Sequence, residues 1–181
     1  MKHVTLELGG KSPSIIFNDA DLENAVTHNS TGFLRNSGQI CVASSRILVQ
    51  EGIAQKFIEA IKIAFEDAAK KMGDASLDST LFGPLADKKQ FEHVMSFLND
   101  SKAEGIQVLT GGERHGDKGA FVQPTVLLSP NVNSRVYREE IFGPVVSVLT
   151  FKDEEEALRL ANNTTYGLGG TFCQCSMAVL A

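Results

Sequence analysis

One cysteine of the sequence lies where a catalytic thiol could be displayed. Cys41 follows Gly38-Gln39-Ile40, in a turn predicted between a helical stretch and a strand. Loops between the elements of a rigid α/β scaffold commonly carry nucleophiles, and a thiol there reacts when nearby amides or a cation favour the thiolate. The residues alone leave open a second interpretation, in which Cys41 is a small buried hydrophobic residue.

Two acidic segments offer further candidates. Glu7 lies in an otherwise apolar run just before Gly9 and Gly10, and glycines permit another backbone to approach closely. A carboxylate at such an edge can act as a general base, although structural carboxylates far outnumber catalytic ones. Residues 139–144 place two acids and Phe142 on a Gly-Pro turn before a strand, which taken alone could equally be an ordinary loop.

Metal sites and phosphate-binding loops are not indicated by the sequence. The four histidines lack the spacing and the neighbouring ligands of a zinc site. Cys173 and Cys175 supply only two soft ligands, too few to close a tetrahedral site. Neither G-x-G-x-x-G nor G-x-x-x-x-G-K-[ST] occurs, so we expect no phosphate cradle within this sequence.

The elements that must position these candidates alternate between short β-branched runs and amphipathic stretches. This pattern favours an α/β fold, an open and mostly parallel sheet flanked by helices. Strands are predicted over residues 4–8, 14–17, 45–50, 106–109, 121–128 and 145–151. Helices are predicted after capping residues 18–21, on the apolar face of residues 53–68, over residues 87–103 and from residue 153 onward. The tail, residues 169–181, carries the weakest pattern.

Composition excludes several classes of function. The 181 residues are 43% hydrophobic with a net charge of −5, which is ordinary for one folded domain. The scattered basic residues argue against a nucleic-acid groove or a membrane-surface patch. No apolar run reaches the roughly 18–20 residues that span a bilayer, and Glu7 precedes any signal-peptide core. Three cysteines do not form a secreted framework, so we expect a cytoplasmic location, or a mitochondrial one if the true N-terminus is missing.

Taken together, the candidate segments resemble the aldehyde dehydrogenase superfamily. Residues 4–13 (VTLELGGKSP) resemble its glutamate signature, residues 36–46 (NSGQICVASSR) its cysteine signature, and residues 139–145 (EEIFGPV) its coenzyme-ribose signature. Residues 121–126 (FVQPTV) and 162–168 (NNTTYGL) are also similar to the family. The order and spacing match, and the resemblance extends from residue 1 to about residue 168.

The resemblance implies a role for each matching residue. Cys41 would be the nucleophile that attacks an aldehyde, and its backbone N–H would supply one donor to the oxyanion. Glu7 would be the general base that activates water and releases a carboxylic acid. Glu140 would hydrogen-bond the nicotinamide ribose of NAD or NADP, and Phe142 would pack near the nicotinamide.

Two further residues of the glutamate signature are expected on the coenzyme side of the site. These are Leu8 and Gly9. The resemblance makes residues 1–10 a terminal strand of the coenzyme-binding domain, residues 11–168 the catalytic domain and residues 169–181 a divergent tail. The expected substrate is a small aldehyde.

Family members are far longer than this sequence and form homo-oligomers through an arm that is missing here. We therefore expect a truncated product that oxidises aldehydes poorly by itself. One alternative is a non-catalytic relic or interaction subunit that docks on a full-length homologue. A second alternative is a coenzyme-free thiol esterase that uses Cys41 and Glu7.

Arg35 departs from the family pattern. The corresponding position is usually aromatic or aliphatic and lines the substrate tunnel. An arginine there would suit a polar or anionic aldehyde, or it would simply face solvent. Both alternatives stay open at this point, because arginine is rarely fully buried without a partner.

Overall fold

A single six-stranded sheet organises the computed structural model, which describes residues 1–175. The strands are β1 (Pro13–Ile16), β2 (Arg46–Gln50), β3 (Gln107–Thr110), β4 (Thr125–Leu128), β5 (Val145–Phe151) and β6 (Thr171–Cys173). Their spatial order is β3-β4-β5-β2-β1-β6. Only β3 is antiparallel to its neighbour, β4, and the other pairs are parallel. The predicted open, mostly parallel sheet is therefore confirmed.

Helices cover both faces of this sheet. They are α1 (Leu22–Thr27), α2 (Glu51–Ala69), α3 (Lys88–Ala103), α4 (Arg135–Arg138) and α5 (Glu154–Ala161). A π-helical turn (His28–Gly32) extends α1, and a short 3-10 segment (Arg35–Gly38) leads toward Cys41. None of the helices in residues 1–175 is long and apolar enough to cross a membrane.

Aspartates fix where three of the helices begin. The carboxylates of Asp21, Asp87 and Asp153 each accept a hydrogen bond from the backbone N–H three residues later, at 2.7–3.0 Å. Such a cap satisfies one of the free N–H groups of the first turn and contributes about 1 kcal/mol. The predicted capping of α1 by residues 18–21 is thereby confirmed, and α3 and α5 begin in the same way.

The core is divided between the two faces because side chains alternate along each strand. On one face Ile47 and Val49 of β2 pack with the apolar stripe of α2, which includes Phe57. On the other face Leu48 packs with Phe151 and with α5. A further cluster joins α3 to β4 and β5 on that second face. A central strand buried on both sides is typical of a parallel sheet.

Three sequence-based expectations about strands need correction. Residues 4–8 form no strand, and Val4, Leu6 and Leu8 are 75%, 69% and 65% exposed, because no neighbouring strand among residues 1–175 pairs with them. The strand predicted over residues 121–128 begins only at Thr125, after Pro124, which has no N–H to donate.

The third correction concerns the tail, where the weak pattern predicted no strand. Thr171–Cys173 continues the sheet as edge strand β6, paired in parallel with β1. Its pairing places Ser14 opposite Thr171 and Ile16 opposite Cys173. Residues 176–181 of the predicted divergent tail lie outside the described residues.

Candidate active site

The three signature segments meet at Gly9 and Gly10. The Glu140 carboxylate accepts a hydrogen bond from the Gly10 N–H through Oε1, at 3.1 Å. A Cβ atom on Gly9 would overlap Glu140 Oε2, and a Cβ on Gly10 would overlap the carbonyl oxygen of Cys41. Only glycine lets this backbone pass between the Glu140 carboxylate and the Cys41 turn.

The turn before Cys41 is fixed by its own side chains. Asn36, Ser37 and Gly38 all have left-handed backbone conformations, with φ of 50°, 55° and 72°. The amide groups of Asn36 and Gln39 each donate to the other residue's carbonyl oxygen, at 2.9 and 3.0 Å. Gln39 Oε1 also accepts from the Ala86 N–H at 2.9 Å. These bonds hold a conformation that non-glycine residues adopt only at a cost.

Cys41 is half-buried and carries a free thiol. It lies in a tight turn that the Ala43 N–H closes by donating to the Ile40 carbonyl oxygen at 3.0 Å. Its own backbone N–H donates no hydrogen bond to any residue in the described range. This N–H is consequently free to stabilise an oxyanion formed next to the thiol.

Phe142 is held in a left-handed conformation with φ of 55°. Gln90 secures it, because its amide donates to the carbonyl oxygens of Ile141 and Phe142 at 3.1 and 2.8 Å. Phe142 remains 38% exposed. A Cβ on Gly38 would overlap the Gly143 carbonyl oxygen, so the cysteine segment packs directly against the segment that carries Phe142.

Two cavities flank the Cys41 turn. The larger, about 590 Å³, is lined by Arg35 together with Ile40 and Val42, the two neighbours of Cys41; we call it the Arg35 cavity. A narrow cleft on the other side is lined by Gly10, Glu140 and Phe142; we call it the Glu140 cleft. Both cavities share the walls that Phe33, Ile40 and Ala43 provide.

The comparisons with known proteins establish the family. The model of the aldehyde dehydrogenase family matches residues 1–178. The chain belongs to the aldehyde dehydrogenase family. The match confirms the resemblance seen in the signature segments and extends it past residue 168 into the tail.

Similar proteins are aldehyde dehydrogenases about three times as long. The enzyme of Emericella nidulans is 48% identical over 169 residues, covering 93% of this chain and 33% of that protein. A mitochondrial aldehyde dehydrogenase of Leishmania tarentolae is 43% identical over 177 residues, 98% of this chain and 35% of that protein. The solved NAD+ complex of an aldehyde dehydrogenase from Bacillus cereus has a TM-score of 0.93 at 43% identity, covering 97% of this chain and 35% of that chain.

Within this aldehyde dehydrogenase chain, the structure brings some predicted site residues together and leaves others apart. Cys41, Gly9, Glu140 and Phe142 belong to one contiguous region. Glu7 is exposed and makes no hydrogen bond or ion pair within residues 1–175. The segment around Glu7 pairs with no strand. The role of Glu7 as general base therefore stays a prediction, and so does the coenzyme role of the exposed Leu8.

Two buried basic side chains near the site, Lys11 and Arg46, were not singled out by the sequence. Lys11 is 1% exposed, and its Nζ has no hydrogen-bond partner. Burial and the nearby Arg46 guanidinium lower the pKa of Lys11 to about 7, against the opposing pull of Glu140 and Glu139. The signal that could have found them was a basic residue at the start of β2 and another two positions before β1.

The buried Arg46 side chain links two separate segments of the backbone. Its guanidinium is buried and donates to the carbonyl oxygens of Lys11, Leu160 and Ala161, at 2.7, 3.0 and 2.7 Å. The Arg46 side chain therefore ties the end of α5 to the loop that follows Gly10. This tie fixes the backbone that contacts both Cys41 and Glu140.

No arrangement of three or more His, Cys, Asp or Glu residues that could hold a metal ion occurs in the described part of the chain. The two cysteines of the tail, Cys173 and Cys175, are both free thiols.

Proposed function

We propose that this chain carries the catalytic part of an NAD- or NADP-dependent aldehyde dehydrogenase, which oxidises an aldehyde to a carboxylic acid. The proposal rests on one observation. The backbone of Cys41 and the carboxylate of Glu140 both lie against Gly9 and Gly10. The chain spans about a third of the length of its relatives. We therefore state the activity of a whole enzyme as a proposal.

The chemistry on the thiol follows from the turn. The Cys41 thiol first gives its proton to water, and the thiolate Sγ then attacks the carbonyl carbon of the aldehyde, so that the carbonyl oxygen becomes an oxyanion. The free Cys41 N–H donates to that oxygen and stabilises the tetrahedral adduct.

The residues of the Glu140 cleft include an acceptor and an apolar ring of the kind that contacts a nicotinamide ribose. Glu140 Oε1 already accepts from the Gly10 N–H, whereas Oε2 has no hydrogen-bond partner in the described range and can accept from a ribose hydroxyl. The exposed ring of Phe142 offers an apolar surface to the nicotinamide. When bound there, NAD or NADP supplies the acceptor for the hydride of the adduct on Cys41.

Release of the acid needs a water molecule and a base. We assign the base to Glu7, which takes a proton from the water that attacks the acyl carbon on Cys41. Glu7 is exposed on a segment without a strand partner, so the isolated chain holds this base poorly. Slow deacylation and low turnover follow, because a loosely held catalytic group loses much of the advantage of proximity.

The proposed substrate is a small aldehyde, and the proposed location is the cytoplasm, with the mitochondrion as the alternative. The family match and the fold do not favour a non-catalytic relic. No observation favours the coenzyme-free esterase.

The test is NADH formation by the purified chain with an aldehyde and NAD+. We expect slow turnover that Cys41→Ser abolishes and that Cys175→Ser, the matched change at an exposed thiol, leaves unchanged. Equal rates in the parent chain and Cys41→Ser would refute the proposal.

A further inference from the structure

The backbone that leads into the Cys41 turn is held from outside the turn. Asn36 and Ser37 are left-handed non-glycine residues, with φ of 50° and 55°, and such residues persist only where the surrounding structure holds them. The amide bonds between Asn36 and Gln39 close this backbone on itself. They do not determine how it is oriented relative to the rest of the molecule.

Two hydrogen bonds supply that orientation. Gln39 Oε1 accepts from the Ala86 N–H at 2.9 Å, and Ser37 Oγ donates to the Gly83 carbonyl oxygen at 2.7 Å. Gln39 and Ser37 are both buried. The turn is therefore attached at two points to residues 83–86, which come just before α3.

Residues 83–86 are themselves fixed to the core. Leu85 is buried in the cluster that joins α3 to β4 and β5, and its N–H donates to the Ala120 carbonyl oxygen at 2.8 Å. The next residue, Asp87, caps α3. Residues 83–86 are thus held by contacts that do not involve the Cys41 turn, and they provide a rigid support for it.

The support matters because the Cys41 N–H follows Gln39 by only two residues. This N–H donates to no residue in the described range. A backbone donor stabilises an oxyanion only when it is already oriented toward the place where the charge develops. A small displacement of the donor therefore weakens its effect on the adduct.

We infer that Gln39 is a positioning residue. Together with Ser37 it ties the turn to residues 83–86, and it thereby orients the Cys41 N–H toward the oxygen of an aldehyde bound to Sγ. Gln39 acts through the backbone, not on the substrate. The inference deepens the proposed function and rests on it, since it assumes that Cys41 accepts the aldehyde.

Two reactions of the Cys41 sulfur separate this role from a general effect on the thiol. Iodoacetamide alkylates the thiolate and releases iodide, and this reaction forms no oxyanion. Propanal adds reversibly, because the thiolate bonds to the carbonyl carbon while the carbonyl electron pair moves to oxygen, which then takes a proton from water. Peptide mass spectrometry of the full chain gives the alkylation rate at Cys41 and the propanal concentration that halves it.

Gln39→Met removes the bond to Ala86 and keeps a side chain of similar length. We expect the half-protecting propanal concentration to rise about fivefold, the factor that corresponds to one ordinary hydrogen bond, while the alkylation rate without propanal stays close to that of the parent chain. Gln39→Glu keeps an oxygen for the Ala86 N–H in either protonation state. The Asn36 carbonyl oxygen also keeps the backbone N–H of Gln39 as a donor, so this variant should protect like the parent chain.

A matched control is available at the other end of β2. Gln50 Oε1 accepts from the Asn18 N–H at 2.9 Å, and its amide donates to the Lys152 carbonyl oxygen at 3.1 Å. Gln50→Met removes these bonds and should leave protection of Cys41 unchanged. Ser37→Ala removes the bond to Gly83 alone and should weaken protection, and it supplies the test if Gln39→Met does not fold.

The outcomes distinguish the inference from the proposed function. If propanal does not protect Cys41 in the parent chain, the proposed function fails and the inference fails with it. Protection that is equal in the parent chain and in Gln39→Met, or in Ser37→Ala if the first variant does not fold, overturns the inference alone. Weak protection in Gln39→Glu or in Gln50→Met would also overturn it, because the bond to Ala86 would then not be the cause.

Discussion

Replacing Lys11 by Met should remove a pH dependence of stability that this one buried amine creates. Its Nζ has no hydrogen-bond partner, and burial together with Arg46 lowers its pKa from 10.5 to about 7. Above its folded-state pKa the amine is neutral in the fold, while in the unfolded chain it still carries a proton. The unfolded state therefore binds more protons between these two pKa values, and stability rises with pH there.

The pKa values give the size of the effect. Linkage between a folded pKa of about 7 and an unfolded value of 10.5 makes the free energy of unfolding rise by about 2 kcal/mol from about pH 7 to about pH 9. Below pH 7 the dependence levels off, because both states are protonated. Burial also raises the pKa of the Cys173 thiol. This shift lowers the free energy of unfolding near the top of the pH window, and it does so equally in the parent chain and in Lys11→Met.

Urea unfolding at several pH values across this window is the assay. We expect the free energy of unfolding of the parent chain to rise by about 2 kcal/mol more than that of Lys11→Met. Lys56→Met, the same change at an exposed position of α2, should keep the parent slope. Parallel curves for the parent and Lys11→Met would refute the argument that Lys11 is neutral in the fold.

Three further substitutions test how the site is built. Gly10→Ala should destabilise the chain by about 1–3 kcal/mol in urea unfolding, because the new Cβ meets the Cys41 carbonyl oxygen. Its control is Gly167→Ala, which has open space around it and should change stability by less than about 0.5 kcal/mol. Arg46→Met removes the side-chain donor from the carbonyl oxygens of Lys11, Leu160 and Ala161 and should cost about 3 kcal/mol in the same assay. A cost below about 1 kcal/mol would contradict the proposed link between α5 and the loop after Gly10. Asp153→Ala should cost about 1 kcal/mol through the lost cap of α5, and Asp153→Asn, which still caps, should retain most of the stability by thermal unfolding.

Much of the fold could be predicted because local pattern and tertiary structure agree. The apolar stripe of α2 indicates that helix, and aspartates mark where α1, α3 and α5 begin. The buried runs of β2 and β5 likewise match a parallel sheet. The closeness of Cys41 and Glu140 could be expected only from the family resemblance, since sequence spacing does not determine which loops meet.

What could not be predicted depends on tertiary partners. Val4, Leu6 and Leu8 alternate as strand residues do, but a strand forms only where a neighbour accepts its hydrogen bonds. Phe142 gives no sequence sign of its left-handed backbone, which Gln90 stabilises from another element. A lysine such as Lys11 is normally exposed, so its burial is visible only in the structure.

The central claim is that the Cys41 thiol accepts the aldehyde beside the coenzyme cleft. Peptide mass spectrometry after incubating the chain with excess aldehyde and NAD+ tests it most directly. We expect a hydroxylamine-sensitive acyl mass on Cys41 that requires both reagents and is absent from Cys173 and Cys175. Acylation confined to the tail cysteines, or aldehyde oxidation that persists in Cys41→Ala, would contradict it.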